Sequence, residues 1–252
     1  MSSDATGASA STARTTAVDD RIDTFGIALP PEWVRFPVDG DFEDFVRGQR
    51  RRLADEAQLS KTAQRQFELI MRQLRNDCRR SNVTLAAAMF AVIDEPAEFD
   101  DGETVEAGLL AASCTISSLS RAALGSELPL TVNTIAAAMT RDPAADDGVE
   151  IVNLDPPAIV DLAAGRAVKL VRLHTHPPSP TTLERLAVFV QHVMVPYDDG
   201  ERAAVVSFAS PTPAYARPLS SLFDAMVGTF RMFGGDTPTD PLAGPAATED
   251  GG

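Results

Sequence analysis

From Ala203 the chain runs Ala-Ala-Val-Val-Ser-Phe-Ala, an apolar strand, and then enters a turn rich in Ser, Pro and Thr. Beyond the turn Leu219, Leu222, Phe223, Met226, Val227, Phe230 and Phe233 recur at the i, i+3, i+4, i+7 spacing that lines one face of a helix. The pattern predicts a long C-terminal amphipathic helix over Leu219–Phe233. A stripe that wide must be covered by a sheet or by other helices.

Just upstream, Arg185–Val195 alternates. Val188, Val190, His192 and Met194 fall on one face, and Phe189, Gln191, Val193 and Val195 on the other. Tyr197-Asp198-Asp199-Gly200 is a turn that folds this strand back onto Ala203–Ala209. Val83–Ile93 and Val105–Ile116 carry apolar or small residues on both alternating faces, which predicts central strands covered on both sides. Val149–Asp155, Ala158–Leu162 and Arg166–Leu173 are further extended segments, punctuated by Pro156-Pro157 and Ala164-Gly165.

Helical spacing appears earlier in the chain. Phe42, Phe45, Val46 and Leu53 form one stripe, and Phe67, Ile70, Met71, Leu74 and Cys78 a second. Leu59-Ser60-Lys61 separates them, with Ser60 placed to cap the second helix. A shorter helix is expected from Thr131 to Thr140. Ile27–Val38 contains three prolines and reads as an extended segment docked through Trp33, Val34, Phe36 and Val38. Hairpin-linked strands with helices near both ends define an α+β class: an antiparallel β-sheet of about six strands packed between helices. The expected organisation is a leader over 1–22, a single α+β domain over 23–233, and an acidic tail over 234–252.

Composition narrows the functional classes. The formal net charge is -14. Much of the acidity lies in Asp94–Glu106 and in the tail, as on solvated connectors. Clustered positive charge of the kind that grips nucleic acid is confined to Arg50, Arg51, Arg52, Arg72, Arg75 and Arg79 on the two predicted helices. That patch suits a solvated helix face or a docking surface for an acidic protein partner, and no nucleic-acid role is expected. No apolar run is long enough to span a membrane. Met1–Asp20 lacks an apolar core of the secretory type. Cys78 and Cys114 lie far apart, outside any CxxC or Cys/His cluster, and read as small buried hydrophobes. The expectation is a cytoplasmic protein.

Candidate chemistry is sparse. Neither a GxGxxG sequence nor a Walker A loop is present, and there is no G-x-S-x-G elbow. His174-Thr175-His176-Pro177 is the one provocative run, because imidazoles at i and i+2 can face a single metal ion. It resembles the HxHP element of JAB/MPN-type zinc isopeptidases. Pro178–Glu184 is too short to place that family's Ser and Asp, and the carboxylates on offer are Glu184 and Glu150. His192, flanked by Val190 and Met194 on its own face, reads as a half-buried histidine held by one hydrogen bond. Asp224 is expected in the first turns of the final helix, in a structural role. Trp33, the only tryptophan, is a packed anchor or one wall of a ligand pocket.

The ending of the chain carries a family resemblance. The run Val190-Gln191-His192 through Met194-Val195-Pro196-Tyr197, the Asp-Gly turn, the strand closing in Ser207-Phe208-Ala209-Ser210-Pro211-Thr212-Pro213, and the helix Leu222–Arg231 are together similar to bacterial proteins of the PsbP-like fold. Leu29–Trp33 and Asp161–Val168 add to the likeness. That group includes a photosystem II extrinsic protein, LpqN-type lipoproteins and a Ran-binding nucleotide-release factor. The resemblance implies a twisted antiparallel sheet between helices and a role in binding or stabilising partners, with no shared catalytic residues. A lipobox cysteine is absent near Met1, so a lipoprotein role is not implied. The expectation is a non-enzymatic binding or accessory protein without a cofactor. Two alternatives stand beside it: a metal-dependent hydrolase using His174 and His176, and a small-ligand carrier with an apolar pocket near Trp33.

Overall fold

The computed structural model describes residues 24–38, 40–57, 61–81, 83–93, 97–98, 104–105, 108–123, 127–140, 148–178 and 185–233. The expected leader, the Ser60 cap, most of the acidic Asp94–Glu106 connector and the acidic tail lie outside the described residues. Strand β1 (Thr24–Gly26) and strand β2 (Trp33–Arg35) precede two helices, α1 (Phe42–Ala57) and α2 (Lys61–Arg80). Strand β3 (Val83–Ile93) leads through the small hairpin β4 (Ala97–Glu98) and β5 (Thr104–Val105) to β6 (Gly108–Ser120). Helix α3 (Val132–Met139) is followed by β7 (Glu150–Asn153), β8 (Ala158–Leu162), β9 (Gly165–His176), β10 (Leu186–Pro196) and β11 (Arg202–Ser210). Helix α4 (Ala216–Gly228) and strand β12 (Arg231–Phe233) end the described chain.

The fold is α+β, and its main sheet is antiparallel throughout. Its order is β2-β3-β6-β11-β10-β9-β7, with β8 also on β9, making eight strands where the sequence predicts about six. The surplus has a simple origin. Strand β9 is long enough to carry two short partners end to end, β8 along Gly165–Lys169 and β7 along Arg172–Thr175. The proline-flanked Trp33–Arg35 segment adds the opposite edge, where missing ladder donors cost nothing.

Strand alternation divides the sheet into two unlike faces. The first packs against α4. Trp33, Met89, Cys114, Ile116, Phe189, Val193, Val206 and Phe208 meet Leu219, Phe223, Met226 and Val227 in one buried cluster. Phe223 is fully buried, stacked 4.5 Å from Phe208 and 6.2 Å from Phe189, with Trp33 edge-on at 6.3 Å. A polar pin crosses the same interface. Gln191, 0% exposed, donates Nε2 to Asp224 Oδ1 at 2.9 Å and accepts from Ser220 Oγ at 2.9 Å, while Lys169 Nζ reaches Asp224 Oδ2 at 2.6 Å. Asp224 therefore sits well inside α4 and binds the sheet; it does not lie in the first turns as the sequence suggests.

The helix also stops earlier than its stripe implies. Gly228 disfavours helix, and Thr229 Oγ1 bonds back to the Met226 carbonyl at 2.6 Å while accepting from Ala28 N at 2.8 Å. The chain then turns so that β12 pairs with β1, and Phe230 stacks on Phe25. Phe233, counted in the stripe by spacing, ends 40% exposed.

The second face is covered in two places. Over β3, the stripes of α1 and α2 (Phe42, Val46, Leu53, Phe67, Met71, Cys78) close on Ala86, Ala88 and Phe90. Over the far side, α3 sets Ile135 and Met139 against Val168, Leu170 and Ala203. A Thr131–Thr134 capping box starts α3, and the preceding Leu130 N bonds the carbonyl of Gly200, whose φ of +67° fits the β10–β11 turn. Replacing Phe223 with Ala removes the ring at the centre of the first face. Phe223→Ala is expected to lose about 3–5 kcal/mol in urea unfolding, and a loss below ~1 kcal/mol would contradict the central place given to this ring.

Candidate functional site

Between the two helical covers of the second face runs a strip of sheet without a helix on it among the described residues. Register fixes its lining. Ser113, Thr115 and Ser117 from β6 stand beside Ala209, Ser207 and Val205 of β11. Those pair with Val190, His192 and Met194 of β10, and β10 in turn sets Val190 opposite Arg172 and Val188 opposite His174 of β9. All of these side chains are half-buried except Val190 and Val205, which are buried. The centre of an eight-stranded sheet would ordinarily bear large aliphatic side chains; here it bears hydroxyls, imidazoles and a guanidinium.

His192 Nδ1 lies 2.8 Å from Ser207 Oγ, the single hydrogen bond expected of it. Burial, reinforced by the positive charges that His174 and Arg172 can bring, holds the His192 imidazole down to about 4. Burial also lowers His174, with His176 and Arg172 adding to the effect. Arg172 donates Nε to Asn153 Oδ1 at 2.8 Å and Nη2 to the Met139 carbonyl at 3.1 Å, tying β9 to β7 and to the end of α3. Its cation, lowered by burial, meets only neutral acceptors among the described residues. His174 Nε2 is enclosed and has no hydrogen-bond partner there.

His174 and His176 share the strip's face of β9, their ring centroids 6.5 Å apart. His192, on the neighbouring strand, shares that face too. Glu150 pairs with Thr175 and so projects from the opposite face, 3.9 Å from Arg185. Glu184 lies outside the described residues. Among the described residues no group of three or more His, Cys, Asp or Glu is placed to hold a metal ion.

Part of the basic helix face is paired within the fold. Arg50 pairs with Glu68, and Arg72 with Glu43 at 3.2 Å, so these charges lace α1 to α2. Arg75 donates Nε to the Val38 carbonyl at 2.9 Å and lies 4.4 Å from the centre of the Phe42 ring. Arg51 and Arg79 are exposed and Arg52 is half-buried. Trp33 is 6% exposed, packed within the α4 cluster. The nearby open groove of about 560 Å³ is lined instead by Arg35, Phe36, Asp41, Asp44, Phe45 and Leu85. Arg172, Thr115 and Ser207 are site residues that the sequence reading does not single out as a set. Their signal is a polar residue at every second position over Ser113–Ser117 of β6 and Arg172–His176 of β9.

The histidines give the fold a pH dependence of defined sign. An imidazole held below its ordinary 6.5 binds protons less readily in the folded chain than in the unfolded one. Its effect is constant above pH 6.5, and stability falls as pH drops from there towards about 4. For His192 the loss is up to about 3 kcal/mol. Urea midpoints across this range should fall more steeply for the native chain than for His192→Gln. Parallel curves would contradict the burial of an uncharged His192.

No family model matches the chain, and no curated protein does. Among solved structures it is similar to LpqN, involved in cell envelope biogenesis of Mycobacterium tuberculosis, at 10% identity and a TM-score of 0.39, over 86% of this chain and 87% of that one. A likeness of that degree carries no argument about what this chain does.

Proposed function

We propose that this protein is a non-enzymatic binding or accessory protein whose working surface is the polar strip on the second face of its sheet. One observation carries the reading: α1–α2 and α3 cover the two flanks of that face and leave Thr115, Ser207, His192, Arg172 and His174 half-buried between them. Half-buried groups of this kind are suited to recognition, since each can donate or accept without changing covalently. The PsbP-like resemblance of Phe189–Phe230 points the same way, towards proteins that hold partners. Cytoplasmic residence belongs to the same proposal, and the two buried cysteines, Cys78 and Cys114, held as thiols, fit a reducing compartment.

The competing hydrolase reading asks His174 and His176 to share a metal with a carboxylate, and Glu150 emerges from the wrong side of the sheet to be that ligand. Elemental analysis of the purified chain separates the two readings. The binding reading expects no stoichiometric zinc and unchanged function in cells carrying His176→Ala. About one zinc per chain, lost in both His174→Ala and His176→Ala, would overturn it.

A further inference from the structure

The strip is unbalanced in charge. Its strand positions carry Arg172, His174, His176 and His192 but no Asp or Glu among the described residues. A guanidinium has five N–H donors, and Arg172 places only Nε and Nη2, both on neutral oxygens. A half-buried cation left with neutral partners is incompletely compensated for the water it has lost. Two residues along the same strand, the enclosed His174 Nε2 has no partner among the described residues. Buried polar atoms are nearly always satisfied, so an orphan beside a half-satisfied cation marks a place where a partner belongs. Across the sheet, beyond His192, the hydroxyls of Ser207 and Thr115 follow in register. Neighbouring strands stand about 4.8 Å apart. That row meets β9 at Leu170, so the charged pair Arg172 and His174 lies further along β9 on the same face, diagonal to a hydroxyl-bearing bed.

We propose that Arg172 and His174 bind the oxyanion head of a small molecule, a carboxylate or a phosphate, whose polar body lies along His192, Ser207 and Thr115. The site deepens the binding reading above and rests on it. Arg172 supplies the charge, through donors it does not use within the fold. His174, half-buried on the same face, brings its imidazole ring alongside. His192, fixed by Ser207, presents the other edge of its ring to the body of the ligand. A carboxylate in the same position would have neutralised Arg172 internally, as Glu68 does for Arg50, and the strip would then have no reason to prefer an anion.

The chain has three histidines, so its imidazole NMR signals can each be assigned from one His→Gln variant. Sodium phosphate and sodium acetate are titrated separately into the full chain at neutral pH, with chloride holding ionic strength constant. The His174 and His192 signals are expected to move saturably with at least one of the two anions, and the anion that saturates names the head group. Arg172→Gln should raise the midpoint about tenfold or more. Because Arg172 also ties α3 to β7, His174→Gln is the second variant, read through the His192 signal, and it should weaken binding in the same direction. Shifts that fail to saturate with both anions, or midpoints unchanged in both variants, overturn the oxyanion site. That result leaves the accessory-protein reading standing, which falls instead on the zinc measurement.

Discussion

Phe223 lies with its ring nearly parallel to that of Phe208, 4.5 Å away, at the point where the last helix meets the middle of the sheet. Nearly everything else in the fold is positioned by that contact. It seats α4 on one face, and the Gln191–Asp224–Lys169 pin prevents the helix from turning about its own axis. Leu219, Met226 and Val227 then complete the apolar seal. The salt bridge adds little energy, since Asp224 is half exposed. Its value is directional: a buried amide such as Gln191 must have its partners, and only one placement of the helix provides them.

Sealing the middle of the first face is what frees the second. A sheet needs one well-packed side to be stable, and here α4 with the β1–β12 ribbon provides it. The opposite face can then be covered in parts, by α1–α2 at β3 and by α3 at β9, with polar side chains left between. Small residues keep that strip open. Ser113, Thr115, Ser207 and Ala209 stand where large aliphatic side chains would otherwise fill the space. The electrostatics follow from the same layout: His174, His192 and Arg172 share one low-dielectric strip, so each opposes positive charge on the others.

The sequence makes much of this legible. Apolar spacing foretells α4 and its buried stripe, and the alternation of Val188–Val195 assigns each residue of β10 to its correct face. The continuous apolar run of Val83–Ile93 marks a strand covered on both sides. What remains hidden is set by contacts between distant segments. The course of the chain past Gly228 depends on the pairing of β12 with β1, which no local pattern announces. The pairing of Arg50, Arg72 and Arg75 depends on how α1 meets α2 and Val38, whereas sequence shows only a run of positive charge. The candidate strip is hardest to read because its members come from β6, β9, β10 and β11, whose neighbours are settled only by the strand order. Ser113, Thr115 and Ser117 look like an unremarkable small-residue strand until Ser207 and His192 fall in beside them.

The central claim is that one sheet has a sealed face and an open one, and adjacent residues of β6 test it directly. Cys114 points into the α4 core and is 0% exposed, while Thr115, the next residue, lines the strip. Thiol reactivity towards a disulfide reagent under native conditions separates them, since burial both shields the Cys114 thiol and pushes its proton affinity up. The native chain, with Cys78 and Cys114 both buried, should show no fast-reacting thiol, and Thr115→Cys should add one per chain. A native chain that reacts at Cys114 as readily as the variant does at position 115, or a folded variant that gains no reactivity, would contradict the two-faced sheet.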